Sequence, residues 1–240
     1  MASRFYCPAP LRVGEDFVLP RALAHHAGTV LRLRDGEPVV LFNGEGGEYH
    51  GTLHVAGREL SVSLHEYVAD DRCPPLAITL VQALATGDKM DWVVQKAGEL
   101  GVCAVQPIAA ERSVLKLVGE RADKRVQHWQ EVAVSAAEQC ACNRPLQVAP
   151  VSSLSAWLAK LNEGERWLLD PLDGEPLSSL SAPSSAVAIM VGPEAGWSDA
   201  ELAQARAAGC RRVSMGPRVL RTETAGLAVV AAMLALWGDY

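Results

Sequence analysis

Apolar and polar residues alternate over the first third of the chain, then give way to continuous apolar runs and helix-period stretches. "PVVLFNGEGGEYHGTLHV", residues 38–55, is an apolar run, a Gly-rich turn and an alternating run, which predicts a β-hairpin. "ELSVSLHEYV", residues 59–68, alternates again and predicts a further strand. "ADDRCPP" then stops regular structure with aspartates and two prolines, and predicts a boundary near residue 73.

Beyond it the period changes. "LAITLVQAL", "VCAVQPIAA", "QVAPV", "RWLLD", "AVAIMVG" and "RRVSMG" predict strands. Between them lie predicted helices: "DKMDWVVQKAGEL" opened by Asp88 and closed by Gly101, residues 121–141, "SLSAWLAKLNEG" at 153–164, and "DAELAQARAAG" at 199–209. A closing helix begins near Thr222. Strands alternating with helices predict a mainly parallel sheet covered on both faces, whose ligands bind in loops at the carboxyl ends of strands.

Composition narrows this α/β reading. At 240 residues the chain is long enough for one large domain or two smaller ones. The N-terminus lacks a signal-peptide apolar stretch, and the apolar run from Ala225 to Trp237 is too short to span a bilayer. Six cysteines without C-x-x-C spacing read as reduced thiols of a cytoplasmic protein, with no metal site and no membrane association expected. A net charge of -6 argues against indiscriminate coating of nucleic acid, but leaves room for a specific RNA bound through local basic patches.

Three strand-end loops concentrate the chemistry: "LLDPLDGEP", "VGPEAGWSD" and "MGPRVLRTET". Each combines glycine, which lets backbone approach a ligand, with proline, which stiffens the loop. Ordinary turns with helix caps at Ser198 and Thr222 would account for any one of them. Three in succession point to a ligand site. None is a nucleotide cradle: GxxxxGK[ST], a completed GxGxxG, GxSxG and HExxH are all missing. Basic residues form two further groups. Arg121, Lys124, Arg125 and His128 share one helix face, which is otherwise an ordinary solvated surface, and Arg211, Arg212, Arg218 and Arg221 surround the third loop.

"GDKMDWVVQKAGELGV" (87–102), "AAEQC" with "NRP" (136–145), "VGPEAGWSDAEL" (191–202) and "MGPRVLRTETA" (215–225) together resemble the RsmE-type 16S ribosomal RNA (uracil-N3)-methyltransferases of the SPOUT class. "RFYCP", "HHAGTVLRLRDGE" and "LFNGEGGEYHGTL" resemble that family's N-terminal domain. The resemblance implies a PUA-like RNA-binding β-barrel over 1–72 and a SPOUT domain with a C-terminal trefoil knot over 73–240. It also implies a homodimer, and S-adenosylmethionine held by Leu169, Gly192, Pro193, Glu194, Gly196, Met215, Gly216, Leu220, Thr222, Thr224 and Ala225.

The implied activity is methylation of uridine N3 in the decoding region of 16S rRNA, within the assembled small ribosomal subunit. Arg221 and Glu223 are the catalytic candidates. Arg4, His26, Arg32, Arg121, Lys124, Arg125 and Arg144 are the candidates for RNA contact. Two positions depart from the family: Ala195 replaces a second glycine, and Cys142 stands where related proteins usually carry arginine, with Arg144 nearby as a substitute. The alternatives are a SPOUT enzyme acting on another RNA atom, such as a ribose 2′-hydroxyl, and a non-catalytic RNA-binding assembly protein.

Overall fold

The alternating segments become strands of one sheet in the computed structural model, which describes residues 2–57, 59–160 and 164–240. They belong to the first of two units, made of the chain up to Cys73 together with Ala137–Pro145. Its elements are β1 (Ser3–Tyr6), β2 (Asp16–Val18), α1 (Arg21–His25), β3 (Pro38–Phe42), β4 (Glu48–Ala56) and β5 (Glu59–Val68). The sheet order is β1-β3-β4-β5-β2. The predicted hairpin is β3–β4, with Val40 opposite His50 and Leu41 opposite Tyr49, and β1 joins it in parallel. Phe5, Leu41, Leu53, Val62 and Leu64 point to one side and bury a small core. This is the small barrel-like β-domain expected at the N-terminus.

One buried carboxylate organises the polar side of this unit. Glu48 accepts from Arg4 at 2.6 Å, from His50 at 2.9 Å and from Arg72 at 3.4 Å. Burial alone would raise its carboxyl, but these donors hold it below the usual range. Asn143 donates to the Asp70 carbonyl over 2.6 Å, and Glu138 accepts from the Tyr6 amide over 2.9 Å. Backbone and side-chain donors thus bind 137–145 into the unit.

The second unit comprises Pro74–Ala136 and Leu146–Tyr240. In chain order it holds β6 (Ile78–Ala83), α2 (Lys89–Glu99), β7 (Ala104–Ile108), α3 (Gly119–Cys140, its last turn counted with the first unit), β8 (Gln147–Val148), α4 (Leu154–Leu158) and β9 (Glu165–Leu169). Then come β10 (Glu175–Pro176), β11 (Val187–Val191), α5 (Asp199–Ala207), β12 (Arg211–Ser214) and α6 (Thr222–Trp237). The sheet order is β10-β12-β9-β11-β6-β7-β8, and every neighbouring pair is parallel.

Successive residues of each strand face opposite layers. Leu80, Trp167 and Ile189 face the layer of α2, α3 and α6, where Val93, Trp129 and Val230 are buried. Val81, Leu168 and Met190 face Trp157 of α4 and Ala205 of α5. Continuous apolar strands are therefore the sequence signature of burial on both faces. After β12 the chain turns back and packs α6 against β6, β11 and α2. Gly226 lets α6 lie close to β6: a Cβ there would sit 2.9 Å from Leu80 Cδ1.

Three local expectations differ. The helix expected over 153–164 is a single turn, Leu154–Leu158, capped by Ser153, and residues 161–163 lie outside the described residues. Asp88 precedes α2 but its side chain makes no cap bond. Thr222 does not cap α6. Arg221 holds that position, and the Thr222 hydroxyl turns inward instead. Among the described residues no helix is long and apolar enough to cross a membrane.

Candidate active site

Strands β9, β11 and β12 lie side by side, so the loops after Leu169, Val191 and Ser214 leave the same edge of the sheet. Together they enclose a cleft of about 780 Å³. Every residue expected to hold the cofactor lines it except Gly216 and Thr224, and both catalytic candidates, Arg221 and Glu223, lie on its wall.

Each loop is fixed by polar bonds that its own sequence supplies. In the first, the Asp170 carboxylate accepts from the amides of Leu172 and Asp173 at 2.9 and 3.1 Å and from Arg212 Nε at 2.8 Å. Burial would raise this carboxyl, and the Arg212 guanidinium with the two amides keeps it low. In the second, Ser198 and Glu201 form a reciprocal capping box on α5, and Arg112 donates to the Trp197 carbonyl at 2.9 Å. The Trp197 ring covers Gly192, where a Cβ would approach it to 3.2 Å. In the third, Thr222 Oγ1 donates to the Gly192 carbonyl at 2.6 Å and accepts from Gln82 Nε2 at 2.9 Å. That hydroxyl ties the third loop to the second and to β6.

Three charged side chains meet where α2 and α6 begin. Lys89 Nζ lies 2.9 Å from Glu194 Oε1 and 3.6 Å from Glu223 Oε2. Glu194 Oε1 also receives the Thr86 amide at 3.3 Å and the Thr86 hydroxyl at 3.1 Å. Its partial burial is outweighed by Lys89 and Thr86, and its carboxyl is pulled down to about 2. Glu223 Oε2 is buried without a hydrogen-bond partner among the described residues, as is Trp197 Nε1. Arg218 and Arg221 are exposed on the cleft wall, and neither has an ion pair among the described residues.

Lys89, Thr86, Arg112 and Asp170 are site residues that the sequence reading did not single out. Lys89 carried a signal: a cation at the first position of a helix opposes the macrodipole and calls for another reason to be there. The arginine cluster around the third loop divides in two. Arg211 pairs with Glu175 at 2.8 Å, and Arg212 pairs with Asp173 at 2.8 Å in addition to Asp170, which leaves Arg218 and Arg221 for a ligand.

The RNA candidates fall in both units. In the second, Arg121, Lys124 and Arg125 line a cavity of about 570 Å³ with Leu115, Leu117 and Glu120. Lys124 pairs with Glu120 at 2.7 Å, Arg125 lies over the Trp129 ring, and His128 turns to Asp91 at 2.7 Å. In the first, Arg4 is buried on Glu48, His26 is half-buried and edge-on to Phe5, and Arg32 is exposed. Arg144 is exposed but bound to Asp71 at 2.6 Å. Cys142 points inward, its thiol 3.5 Å from that of Cys73. The hydrogen bond from Cys73 pulls the Cys142 thiol down to about 7. Among the described residues no group of three or more His, Cys, Asp or Glu is placed to hold a metal.

Known proteins share this sequence and fold. Residues 72–234 match the model of an RNA methyltransferase domain, and residues 19–62 that of an RNA methyltransferase PUA domain. The ribosomal RNA small subunit methyltransferase E of Bacillus subtilis is 30% identical over 219 residues, 87% of this chain and 86% of the relative. Its counterpart from Synechocystis is 31% identical over 236 residues, 95% of this chain and 76% of the relative. Among solved structures, the Neisseria gonorrhoeae ribosomal RNA small subunit methyltransferase E bound to S-adenosyl methionine aligns over 100% of both chains, with 38% identity and a TM-score of 0.94. A putative methyltransferase of Legionella pneumophila, solved in complex with the same cofactor, aligns over 100% of both chains with 31% identity and a TM-score of 0.95.

Proposed function

Because this chain belongs to the ribosomal RNA small subunit methyltransferase E family, we propose that it methylates N3 of a uridine in the decoding region of 16S rRNA. The methyl donor is S-adenosylmethionine and the substrate is the assembled small subunit. The observation that carries this reading is the cleft itself, where three loops of the matched domain converge on the Glu223 carboxylate and on Arg218 and Arg221, which have no ion pair among the described residues.

The residues fit the cofactor. Leu169, Met215, Leu220 and Ala225 give the cleft apolar wall, while Gly192 and Gly196 leave loop backbone bare of side chains on its other side. A site of this size and mixed character suits a nucleoside-sized ligand. Bound there, S-adenosylmethionine supplies an activated sulfonium methyl.

The chain's own residues prepare the acceptor. Uracil N3 carries a proton and is a poor nucleophile until that proton leaves. The Glu223 carboxylate, on the cleft wall and without a hydrogen-bond donor among the described residues, is the acceptor for it. Arg221 stabilises the anionic ring that results, and Arg218 is free to hold an adjacent phosphate. Glu194 Oε1 already accepts from three donors, and this carboxylate serves structure instead.

RNA contact is assigned to Arg121, Lys124 and Arg125 in the second unit and to His26, Arg32 and Arg144 in the first. Arg4 supports the first unit from within. With a net charge of -6 the protein needs several local contacts fixed by shape, which favours a folded ribosomal particle over free RNA. Leu236 of α6 is 51% exposed, apolar surface that a second copy would cover, which supports a homodimer, and the protein acts in the cytoplasm.

Nucleoside mass spectrometry of 16S rRNA from a strain lacking the protein tests this. Purified protein should restore 3-methyluridine to 30S subunits but far less to deproteinised rRNA. A 2′-O-methylated nucleoside, or no product, would overturn the assignment. A monomer in sedimentation at micromolar concentration would remove the dimer.

A further inference from the structure

We infer that Lys89 is a positioning residue of this site: anchored on Glu194, its ammonium holds the Glu223 carboxylate in place as proton acceptor. The inference rests on the base role proposed above for Glu223.

The distances distinguish the two carboxylates. At 2.9 Å the contact of Lys89 Nζ with Glu194 Oε1 is a charge-assisted hydrogen bond, and the Thr86 amide and hydroxyl converge on the same oxygen. Glu194 is thereby ionised and fixed through that oxygen. At 3.6 Å the contact of Lys89 Nζ with Glu223 Oε2 is beyond hydrogen-bond reach but well within reach of charge. Glu223 Oε2 therefore faces a cation at ion-pair distance, and it has no hydrogen-bond partner among the described residues. An N–H of the bound base is the donor that this carboxylate lacks.

Placement supports the same conclusion. Lys89 is the first residue of α2, the end at which a cation opposes the helix dipole. A side chain there gains nothing from its own helix, so the two carboxylates account for its position. The hydrogen bond to Glu194 raises the Lys89 ammonium above its ordinary range and keeps it charged throughout the working pH range.

The test uses full-length protein with 30S subunits from a strain lacking it. It measures kcat, KM for the subunit, calorimetric affinity for S-adenosylhomocysteine, and thermal midpoint. For Lys89→Met we expect kcat to fall about tenfold or more, with KM and cofactor-product affinity within about threefold of wild type. Lys89→Arg should recover most of the loss. In a Glu223→Gln background, Lys89→Met should cause little further loss, because the residue it positions is already gone.

If Lys89→Met keeps wild-type kcat while affinity or thermal midpoint falls, Lys89 is only a staple and the inference is overturned. An additive loss in the double variant overturns it as well. If Glu223→Gln itself turns over normally, the base reading fails first and takes this inference with it. An inactive Glu223→Gln beside a fully active Lys89→Met removes Lys89 alone.

Discussion

The hydroxyl of Thr222 donates to the carbonyl of Gly192 over 2.6 Å, joining the start of α6 to the loop after β11. The same oxygen accepts from Gln82, and Thr222 is 5% exposed, so water cannot replace either partner. Thr222→Val keeps the shape and removes both bonds. Losing them takes a partner from the buried Gln82 amide and from the half-buried Gly192 carbonyl, at a cost of about 1–3 kcal/mol. Urea unfolding should show that loss in Thr222→Val and little of it in Thr222→Ser. Cofactor affinity should fall with it, since the second and third loops lose their tie.

Much of this site was legible before the structure because its residues are contiguous in three short loops. Strand alternation marked the first sheet and continuous apolar runs the second, and the Gly-Pro composition of the strand-end loops picked out the cleft. What stayed hidden are partners brought together from distant positions: Lys89 with Glu194, Arg112 with Trp197, Asp170 with Arg212. No local period encodes such pairs. The packing of 137–145 with the N-terminal β-unit is of the same kind. The role expected of Thr222 also failed for a physical reason: a hydroxyl that can cap a helix can equally turn inward, and only the neighbouring Gly192 and Gln82 decide which.

Ala141 has φ +65, a left-handed conformation directly after the last residue of α3. Glycine is the usual residue at such a helix end. A side chain there costs about 1–2 kcal/mol, against about 0.5–1 kcal/mol for the extra chain entropy that glycine loses on folding. Ala141→Gly should therefore stabilise the protein by about 0.5–1 kcal/mol. An increased urea midpoint at unchanged slope would show it, and a lower midpoint would contradict it.

Glu194 titrates at about 2 in the folded protein against an ordinary value of 4.5. Burial works against this shift, and the Lys89 and Thr86 donors more than offset it. The folded value is the lower one, so the contribution to stability is complete above about pH 5. It is lost as pH falls through 4.5 towards 2. Glu194→Gln should remove that contribution. Wild type should exceed the variant in unfolding free energy at pH 7, with the gap closing as the pH is lowered from 5 to 3. A gap that widens in acid would reverse the assignment.

Gly196 has φ +72 and open space around the position of a Cβ. A substitution there is opposed by backbone conformation and not by crowding. Gly196→Val should abolish S-adenosylmethionine binding in calorimetry, because the loop must leave its observed path. The rest of the fold, which touches nothing at this position, should keep its circular dichroism and oligomeric state. Near-normal affinity would remove this loop from the cofactor site.

Arg221 is the N-cap of α6, and its side chain stands exposed on the cleft wall two residues from Glu223. A cation at a helix start is mildly unfavourable, and Arg221 has no ion pair among the described residues to offset that. Stability gives no reason for it. A positive group beside the proton acceptor would instead stabilise the ring anion as it forms, an effect present only in the transition state. Arg221→Ala should cut single-turnover methylation of 30S subunits by about two orders of magnitude, equivalent to about 3 kcal/mol. Cofactor affinity should change by less than about threefold, since the charge is required on the nucleotide side. Arg221→Lys should recover part of the rate, because it restores the charge without the planar fork. If Arg221→Ala turns over at the wild-type rate, the cation serves neither the ring nor its phosphate.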